Sequence, residues 1–295
     1  MVGTVRVLLS EGSSLSARET VACLGPAGYH LEVIDPDPLC IVRFSRWVRK
    51  VHRCPPPGTD PLGYLDTVRA VAADRRIDEL LPTHEQAWLF GAAGPLLAGV
   101  PTVVADIASF DRVQSKVEFA KLLDELALPP PEWRLDRLRA GPGRLAVSLL
   151  AEDGVQYRRS WRPARRGWGL ACCGCRRAGR LSEGPVMAQQ PAAGQYGQVQ
   201  GLFDRGRLVA AHTSVQTGTG IGPSAAARLS VDHSLPREHI AQLGEVLSWH
   251  GGLTLDYLHH DGVPQYIECT GRARFLGDEA SAMPAEGDTG EPGRT

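Results

Sequence analysis

The chain has 295 residues, of which 43% are hydrophobic, so it can form two or three packed units and is not a disordered chain. Lys and Arg number 32 against 33 Asp and Glu, a net charge of -1, which gives no whole-chain electrostatic reason to expect nucleic acid or an anionic membrane as a partner. No apolar run reaches the roughly 20 residues of a membrane span. The seven scattered cysteines, with no secretion signal, indicate reduced thiols and a cytoplasmic protein, and exclude a secreted disulfide scaffold.

Strand and helix patterns alternate over the first 112 residues. Continuous apolar runs predict strands at 5–10, 30–35, 77–83 and 100–106. Helical spacing predicts helices at 64–75, at 85–99 and from residue 16 to a stop at Gly25-Pro26, and the proline-rich stretch 36–57 is typical of a loop. This alternation favours a parallel sheet covered on both faces, with ligands beyond the carboxyl ends of its strands.

The first turn of this unit, around Gly12, leaves two interpretations open. Its backbone N–H groups at a helix start could hold an anion, which would suit a dinucleotide-dependent α/β enzyme. Alternatively, Ser14 or Ser16 caps the helix, and this interpretation is favoured because the segment is not GxGxxG.

The central part of the chain begins with a helix that has Lys116 near its start, followed by an unusual cationic segment. Residues 157–180 hold eight arginines and are punctuated by glycines, a chemistry that suits phosphate and is equally compatible with an RNA-binding arm. The cysteines at 172–175 have no second ligand pair at zinc-site spacing, which disfavours zinc.

Two strands around a turn at Asp261-Gly262 are predicted over 251–272. That hairpin would place Asp256 and Glu268, twelve residues apart, about opposite each other on one face. Facing carboxylates need compensation by a shared proton, by an arginine such as Arg272 or by a divalent cation, and Mg²⁺ is commonly bound in this way. An exposed hairpin with two ordinary surface acids explains the spacing about equally well.

The order of these segments resembles the ATP-grasp superfamily of carboxylate–amine and carboxylate–thiol ligases, which includes biotin carboxylase and carbamoyl-phosphate synthetase. The likeness runs from about residue 4 to 276, and it rests on several segments in the family's order. These segments are DELLPTHEQ, QSKVEFAKLLDELALPPPEW, YRRSWRPARRGWG, VMAQQPAAGQYGQVQGLFDRGRLVAAH and LTLDYL followed by YIECTGR.

The resemblance implies a role for individual residues of this chain. ATP would contact a set of basic, glycine and amide residues: Lys116, Arg162, Gly167, Gly169, Gln189 and Gln190. Mg²⁺ or Mn²⁺ would bind Asp256, Glu268 and Thr270, Arg272 would stabilise the transferred phosphoryl group, and Ser224 and Arg228 would approach the substrate. The chain departs from the family's pattern in having Arg162 where a lysine usually stands, Thr270 in place of an asparagine and Gly271 in place of a proline.

The implied fold class is α/β and α+β. An amino-terminal parallel α/β domain (1–112) would precede a two-lobed ATP-grasp domain with a small lobe (113–186) and a large lobe (187–276), and 277–295 would form a disordered tail. The implied reaction is ATP-dependent formation of an acyl phosphate from a small-molecule carboxylate, followed by displacement with an amine or thiol. A weakly active or inactive member that binds nucleotide or a partner is the alternative. No nucleic acid or membrane partner is expected, and a homodimer is the family-based expectation.

Overall fold

The computed structural model describes residues 4–84, 86–136, 148–151, 156–157, 186–190, 192–219 and 225–271. In this part of the chain no helix is both long enough and apolar enough to cross a membrane.

The first sheet is parallel throughout, with strand order β3-β2-β1-β4. Its strands are β1 (Arg6–Leu9), β2 (His30–Asp35), β3 (Val48–Arg53) and β4 (Glu79–Leu81), and it is flanked by α1 (Leu15–Leu24) and α2 (Pro61–Arg75). Successive residues of β1 face opposite sides, so that Val7 packs in the core under α1 and Leu8 packs in the core under α2. Both faces are therefore covered, as the continuous apolar runs predict.

Three helices lead out of this sheet: α3 (Gln86–Ala92), α4 (Ile107–Gln114) and α5 (Lys116–Glu125). The helix α5 contributes to two hydrophobic cores, one on each of the two antiparallel sheets described below. Phe119, Leu122 and Leu123 pack in the core of the large antiparallel sheet, whereas Val117 and Ala120 pack against the small one. It thus joins the two antiparallel sheets of the molecule.

The large antiparallel sheet has five strands in the order β11-β10-β9-β12-β13. They are β9 (Gln195–Asp204), β10 (Arg207–Thr219), β11 (Ala225–Ser230), β12 (Gly251–His260) and β13 (Val263–Thr270), with α6 (Ser234–Val246) between β11 and β12. One face is apolar, because Val199, Leu255 and Cys269 pack there against Ile240 and Leu243 of α6. The other face is polar.

The small sheet is also antiparallel, with the order β5-β8-β6-β7. Its described strands are β5 (Trp133–Asp136), β6 (Ser148–Ala151), β7 (Gln156–Tyr157) and β8 (Val186–Gln189). Met187 of β8 packs on Val117 and Ala120 of α5.

The structure confirms the predicted fold class and corrects two local predictions. Residues 48–53 form the edge strand β3 inside the stretch that the prolines suggested was a loop. Residues 100–106 form only one parallel bridge, between Thr102 and Leu80. The three predicted domain boundaries remain predictions, and both residues 158–180 of the cationic segment and the tail 277–295 lie outside the described residues.

Candidate nucleotide and metal site

Asp256 of β12 and Glu268 of β13 are directly paired in the hairpin register, as predicted from their spacing. Asp261 and Gly262 form the turn with positive φ values of 49° and 83°, which is the backbone that a two-residue hairpin turn needs. The pairing depends on an irregularity, because Asp256 pairs with Glu268 while the next residue, Tyr257, pairs with Tyr266. Ile267 is therefore an extra residue in β13, a β-bulge.

The two acids end a row of polar side chains that crosses all five strands. Paired residues of an antiparallel sheet share a face. The row therefore lies on the polar face, and its members in strand order are Ser230, Ser214, Gln198, Asp256 and Glu268. Thr270 pairs with Thr254 in the adjacent row.

Gln198 connects the acids to the centre of the sheet. Its side chain is buried, and its Nε2 donates a hydrogen bond of 2.7 Å to Oδ1 of Asp256. Gln200 Nε2 in turn donates to Oε1 of Gln198 at 3.0 Å. This chain of amides fixes the orientation of the Asp256 carboxylate. Sequence reasoning missed Gln198, although the alternation of polar Tyr196, Gln198 and Gln200 along β9 was the available signal.

Lys116 approaches the acids from the first turn of α5, whose start is capped by Ser115. Its Nζ lies 3.5 Å from Oε2 of Glu268 and donates a 2.9 Å hydrogen bond to the carbonyl oxygen of Ile267, the bulge residue. Burial lowers the pKa of Lys116, whereas the charges of Glu268 and Asp256 act in the opposite direction. A partly desolvated ammonium group thus lies beside two carboxylates.

Arg228 of β11 lies over the ring of Tyr196, with 5.2 Å between its Cζ and the ring centroid. Burial raises the pKa of Tyr196, as do the charge of Asp256 and a hydrogen bond with it, while Arg228 acts in the opposite direction. Among the described residues, Arg228 Nη1 and Ser214 Oγ are buried atoms with no hydrogen-bond partner. Such unpaired groups are costly unless a ligand satisfies them.

The residues present fit a magnesium ion. Asp256 and Glu268 supply two carboxylates on one face, and the Thr270 side chain lies on the same face one row away. Within the described ranges, no group of three or more His, Cys, Asp or Glu side chains could hold a metal without other ligands. Mg²⁺ commonly binds through one or two carboxylates and completes its shell with water and phosphate oxygens.

The other predicted site residues are only partly placed. Gln189 ends β8, where it pairs with Trp133 and Ser148. The exposed Gln190 follows it and donates from Nε2 to Glu132 Oε2 at 2.5 Å. The structure records no contact between these two glutamines and the acids. Five predicted residues lie outside the described part of the chain: Arg162, Gly167, Gly169, Ser224 and Arg272.

At the first turn of the parallel sheet, the structure confirms the helix cap. The side chain of Ser14 accepts a hydrogen bond from the Ala17 N–H. The N–H groups that could have held an anion already donate within the chain: those of Ser13 and Ser14 to the Glu11 carboxylate, and that of Gly12 to Asp35 at 2.7 Å. This removes the observation that favoured a dinucleotide at this turn.

No protein-family model and no curated protein sequence matches the chain. Solved structures do match its fold. An L-amino acid ligase from Bacillus licheniformis has a TM-score of 0.59 at 15% identity, over 92% of this chain and 67% of that one. The biotin carboxylase domain of a Hydrogenobacter thermophilus 2-oxoglutarate carboxylase, solved with MgADP and bicarbonate, has a TM-score of 0.60 at 11% identity, over 93% and 65%.

A D-alanine–D-alanine ligase from Bacillus anthracis gives a TM-score of 0.52 at 12% identity, over 93% of this chain and 88% of that one. At these identities the likeness concerns the fold. In this chain the fold consists of a parallel sheet followed by two antiparallel sheets that both pack on α5. The chain therefore has the ATP-grasp fold.

Proposed function

We propose that the chain is an ATP-dependent ligase of the ATP-grasp type, which converts a carboxylate to an acyl phosphate and joins it to an amine or a thiol. The observation that carries this proposal is the direct pairing of Asp256 with Glu268 beside the ammonium group of Lys116. Phosphoryl transfer needs positioning and neutralisation of charge more than covalent chemistry. Two acids and a cation on one sheet face meet that need.

In this proposal Asp256 and Glu268 hold the metal through their carboxylates, and Thr270 contributes its hydroxyl. When bound, Mg²⁺ would neutralise charge on the phosphate oxygens. Lys116, on α5, contacts a phosphate of the nucleotide. Its ammonium group must then either leave the Glu268 carboxylate or contact the carboxylate and the phosphate together. Gln198 keeps the Asp256 carboxylate oriented toward the metal, because its amide donates to Oδ1.

The remaining predicted roles belong to the proposal as well. Arg162, Gly167 and Gly169 would cover the phosphates, and Gln189 and Gln190 would contact the adenine. Arg272 would stabilise the transferred phosphoryl group. Ser224 and Arg228 would hold the carboxylate substrate, an assignment supported at Arg228 by its buried and unpaired Nη1.

Calorimetric titration of ATP into the full chain, with and without Mg²⁺, tests the proposal. Wild type should bind ATP much more tightly with Mg²⁺ than without it, and Glu268→Gln should lose that difference. Glu118→Gln, an exposed acid of α5 that pairs with Lys121, is the matched control. Binding that ignores Mg²⁺ and is unchanged in Glu268→Gln would contradict the metal site.

A second candidate is a weakly active or inactive member that binds nucleotide without turnover. It is favoured by Thr270, a neutral hydroxyl at the third metal position, and by the contact of Lys116 with Glu268. Incubation with MgATP, a panel of carboxylates and hydroxylamine separates the two candidates, because hydroxylamine converts an acyl phosphate to a stable hydroxamate. Tight MgATP binding with no hydroxamate and no ADP release across the panel would favour the second candidate.

The homodimer expected from the family is also a proposal. Sedimentation of the full chain over a range of concentrations would test it, with a constant monomer mass as the contradicting result.

A further inference from the structure

The stretch from Pro38 to Thr59 contains no acidic residue and five basic ones, in a chain whose net charge is -1. The five are Arg43, Arg46, Arg49, Lys50 and Arg53. None of them forms a salt bridge with an acid of the described part of the chain. The Arg43 guanidinium donates instead to the Pro38 carbonyl oxygen at 2.6 Å. The local excess of positive charge is therefore not neutralised by described acids.

Three of these residues lie on β3, which is the edge strand of the parallel sheet. Among the described strands β3 pairs only with β2, so the backbone N–H and C=O groups of its other edge have no partner strand. The side chains of Arg49, Lys50 and Arg53 are exposed. The edge thus offers hydrogen-bonding groups and positive charge together.

A groove of about 340 Å³ adjoins this edge, between α1 and the segment that precedes β3. Ile41, Val42 and Trp47 give it apolar walls, and Arg18 and Arg46 give it positive charge. Phe44 lies one 3₁₀ turn after Ile41 and is 75% exposed. An apolar side chain beside a negatively charged one would suit this groove.

We propose that β3 and the adjoining groove bind an extended acidic peptide segment of another protein, which adds to the open edge of β3 as a further strand. Backbone hydrogen bonds give such strand addition its affinity, and side-chain pockets give it specificity. Lys50 and Arg53 lie on opposite faces of β3, because they pair with Glu32 and Asp35, which are three residues apart in β2. The peptide would therefore need carboxylates on both faces of the added strand to meet these cations and Arg49, and an apolar residue would enter the groove.

The same observations disfavour the other occupants. A second copy of the chain would bring like charges together at this edge. A single-stranded nucleic acid would need free aromatic faces for stacking. Trp47 does not offer a free face, because Arg46 lies over its ring at 4.6 Å and Gly25 packs against it so closely that an added Cβ would lie 2.3 Å from Cγ. Phe44 is then the exposed aromatic ring of residues 38–59, and one ring does not form a stacking row for successive bases.

The test uses the full chain and a fluorescein-labelled peptide of eight residues in which two glutamates alternate with two valines, so that both faces of an added strand carry carboxylates. Binding is followed by fluorescence anisotropy. Wild type should bind the peptide, and reversal of the three edge charges should weaken binding at least about tenfold. The matched control reverses three exposed cations elsewhere and should change the affinity by less than about twofold. The edge variant is R49E/K50E/R53E, and the control variant is K121E/R207E/R237E.

A second probe separates strand addition from charge attraction. The same peptide, N-methylated at alternate residues, keeps its carboxylates but loses half of its backbone donors, so it should bind much more weakly. Amide hydrogen exchange at residues 48–53 should slow when the unmodified peptide is bound and should not slow with the methylated one.

Several results would overturn the proposal. Absence of binding, equal binding of both peptides or equal loss in the two variants would each contradict strand addition at β3. Tighter binding of a twelve-nucleotide oligothymidine would assign the surface to nucleic acid, and a dimer that dissociates in R49E/K50E/R53E would assign it to a second copy. A large gain in peptide affinity in D278N/E279Q/E286Q/D288N/E291Q would identify the chain's own acidic residues as the occupant.

Discussion

Asp256 and Glu268 face each other across the β12–β13 hairpin only because β13 contains one residue more than a regular ladder allows. A two-residue turn pairs positions that are an odd number apart, such as His260 with Val263, whereas these acids are twelve apart. The extra residue Ile267 shifts the register of β13 by one residue and so brings Glu268 opposite Asp256. The carbonyl oxygen of Ile267 accepts the hydrogen bond from Lys116. One irregularity thus aligns the two acids and anchors the nearby ammonium group.

Replacement of Lys116 by glutamine should weaken MgATP binding at least about tenfold, because a desolvated positive charge beside the phosphates is lost. The melting temperature should change little, since Glu268 is 40% exposed and its carboxylate can be hydrated when the ammonium group is gone. Calorimetry and thermal unfolding give the two readouts. Lys121→Gln, on the exposed side of α5, is the control. Equal MgATP affinities of the two variants would contradict a role of Lys116 in nucleotide binding.

Replacement of Gln198 by leucine should weaken Mn²⁺ binding to the ATP complex about tenfold, because the hydrogen bond that orients Asp256 is lost. Titration of Mn²⁺ followed by electron paramagnetic resonance measures this affinity directly. Gln242→Leu, in which an exposed glutamine of α6 is replaced, should bind Mn²⁺ like wild type. An unchanged Mn²⁺ affinity in Gln198→Leu would contradict the proposal that Gln198 orients the Asp256 carboxylate for the metal.

Replacement of Gly271 by alanine should lower the free energy of unfolding by about 1–3 kcal/mol, the usual range for overpacking. An added Cβ would lie 2.3 Å from Phe110 and 2.6 Å from Trp249, two buried rings that pack on each other. Urea unfolding measures the loss. Gly58→Ala adds a methyl group in open space and should unfold like wild type; similar unfolding of both variants would contradict the packing argument.

Glu32 should make the stability of the parallel sheet sensitive to acid. Its side chain is buried; burial raises its pKa, but hydrogen bonds from Arg75, His52 and His30 and the charge of Arg75 lower it to about 2. Because the folded value lies below the ordinary value of 4.5, this stabilisation is present above about pH 4.5 and is lost as the pH falls toward 2.

Glu32→Gln should therefore cost up to about 3 kcal/mol near pH 7, which is the free energy that corresponds to lowering the pKa from 4.5 to about 2. The difference from wild type should shrink as the pH falls from 5 to 2. Urea unfolding at a series of pH values measures it, with the exposed Asp66→Asn as the control. A difference that stays constant with pH would mean that the carboxylate charge is not responsible.

Local patterns predicted much of this fold. The runs at β1 and β2 and the Asp261-Gly262 turn carry short-range signals, and the structure confirms each of them. The edge strand β3 escaped prediction because its basic side chains and the nearby prolines resemble a loop. Residues 100–106 have the apolar run of a strand, but Val104 and Ala105 pack in cores instead of extending the sheet.

The site shows the same division between local and distant signals. The pairing of Asp256 with Glu268 followed from residues close in sequence. The contact of Lys116 with Ile267 and the support of Asp256 by Gln198 join distant segments. The alternation along β9 indicates that Gln198 lies on a polar face, but it does not identify Asp256 as its partner. The Lys116 role came from a family resemblance, and Gln198 only from the structure.

Because α5 packs in the cores of both antiparallel sheets, a change in packing on one side of this helix affects the other side. Val117, the neighbour of Lys116, packs with Ala120 against Met187 of the small sheet, while Lys116 reaches the acids of the large one. Coupling between sites is reciprocal in free energy. A phosphate that draws Lys116 at the proposed site would therefore alter how firmly the small sheet is held, and a looser fit at Met187 would in turn change nucleotide affinity.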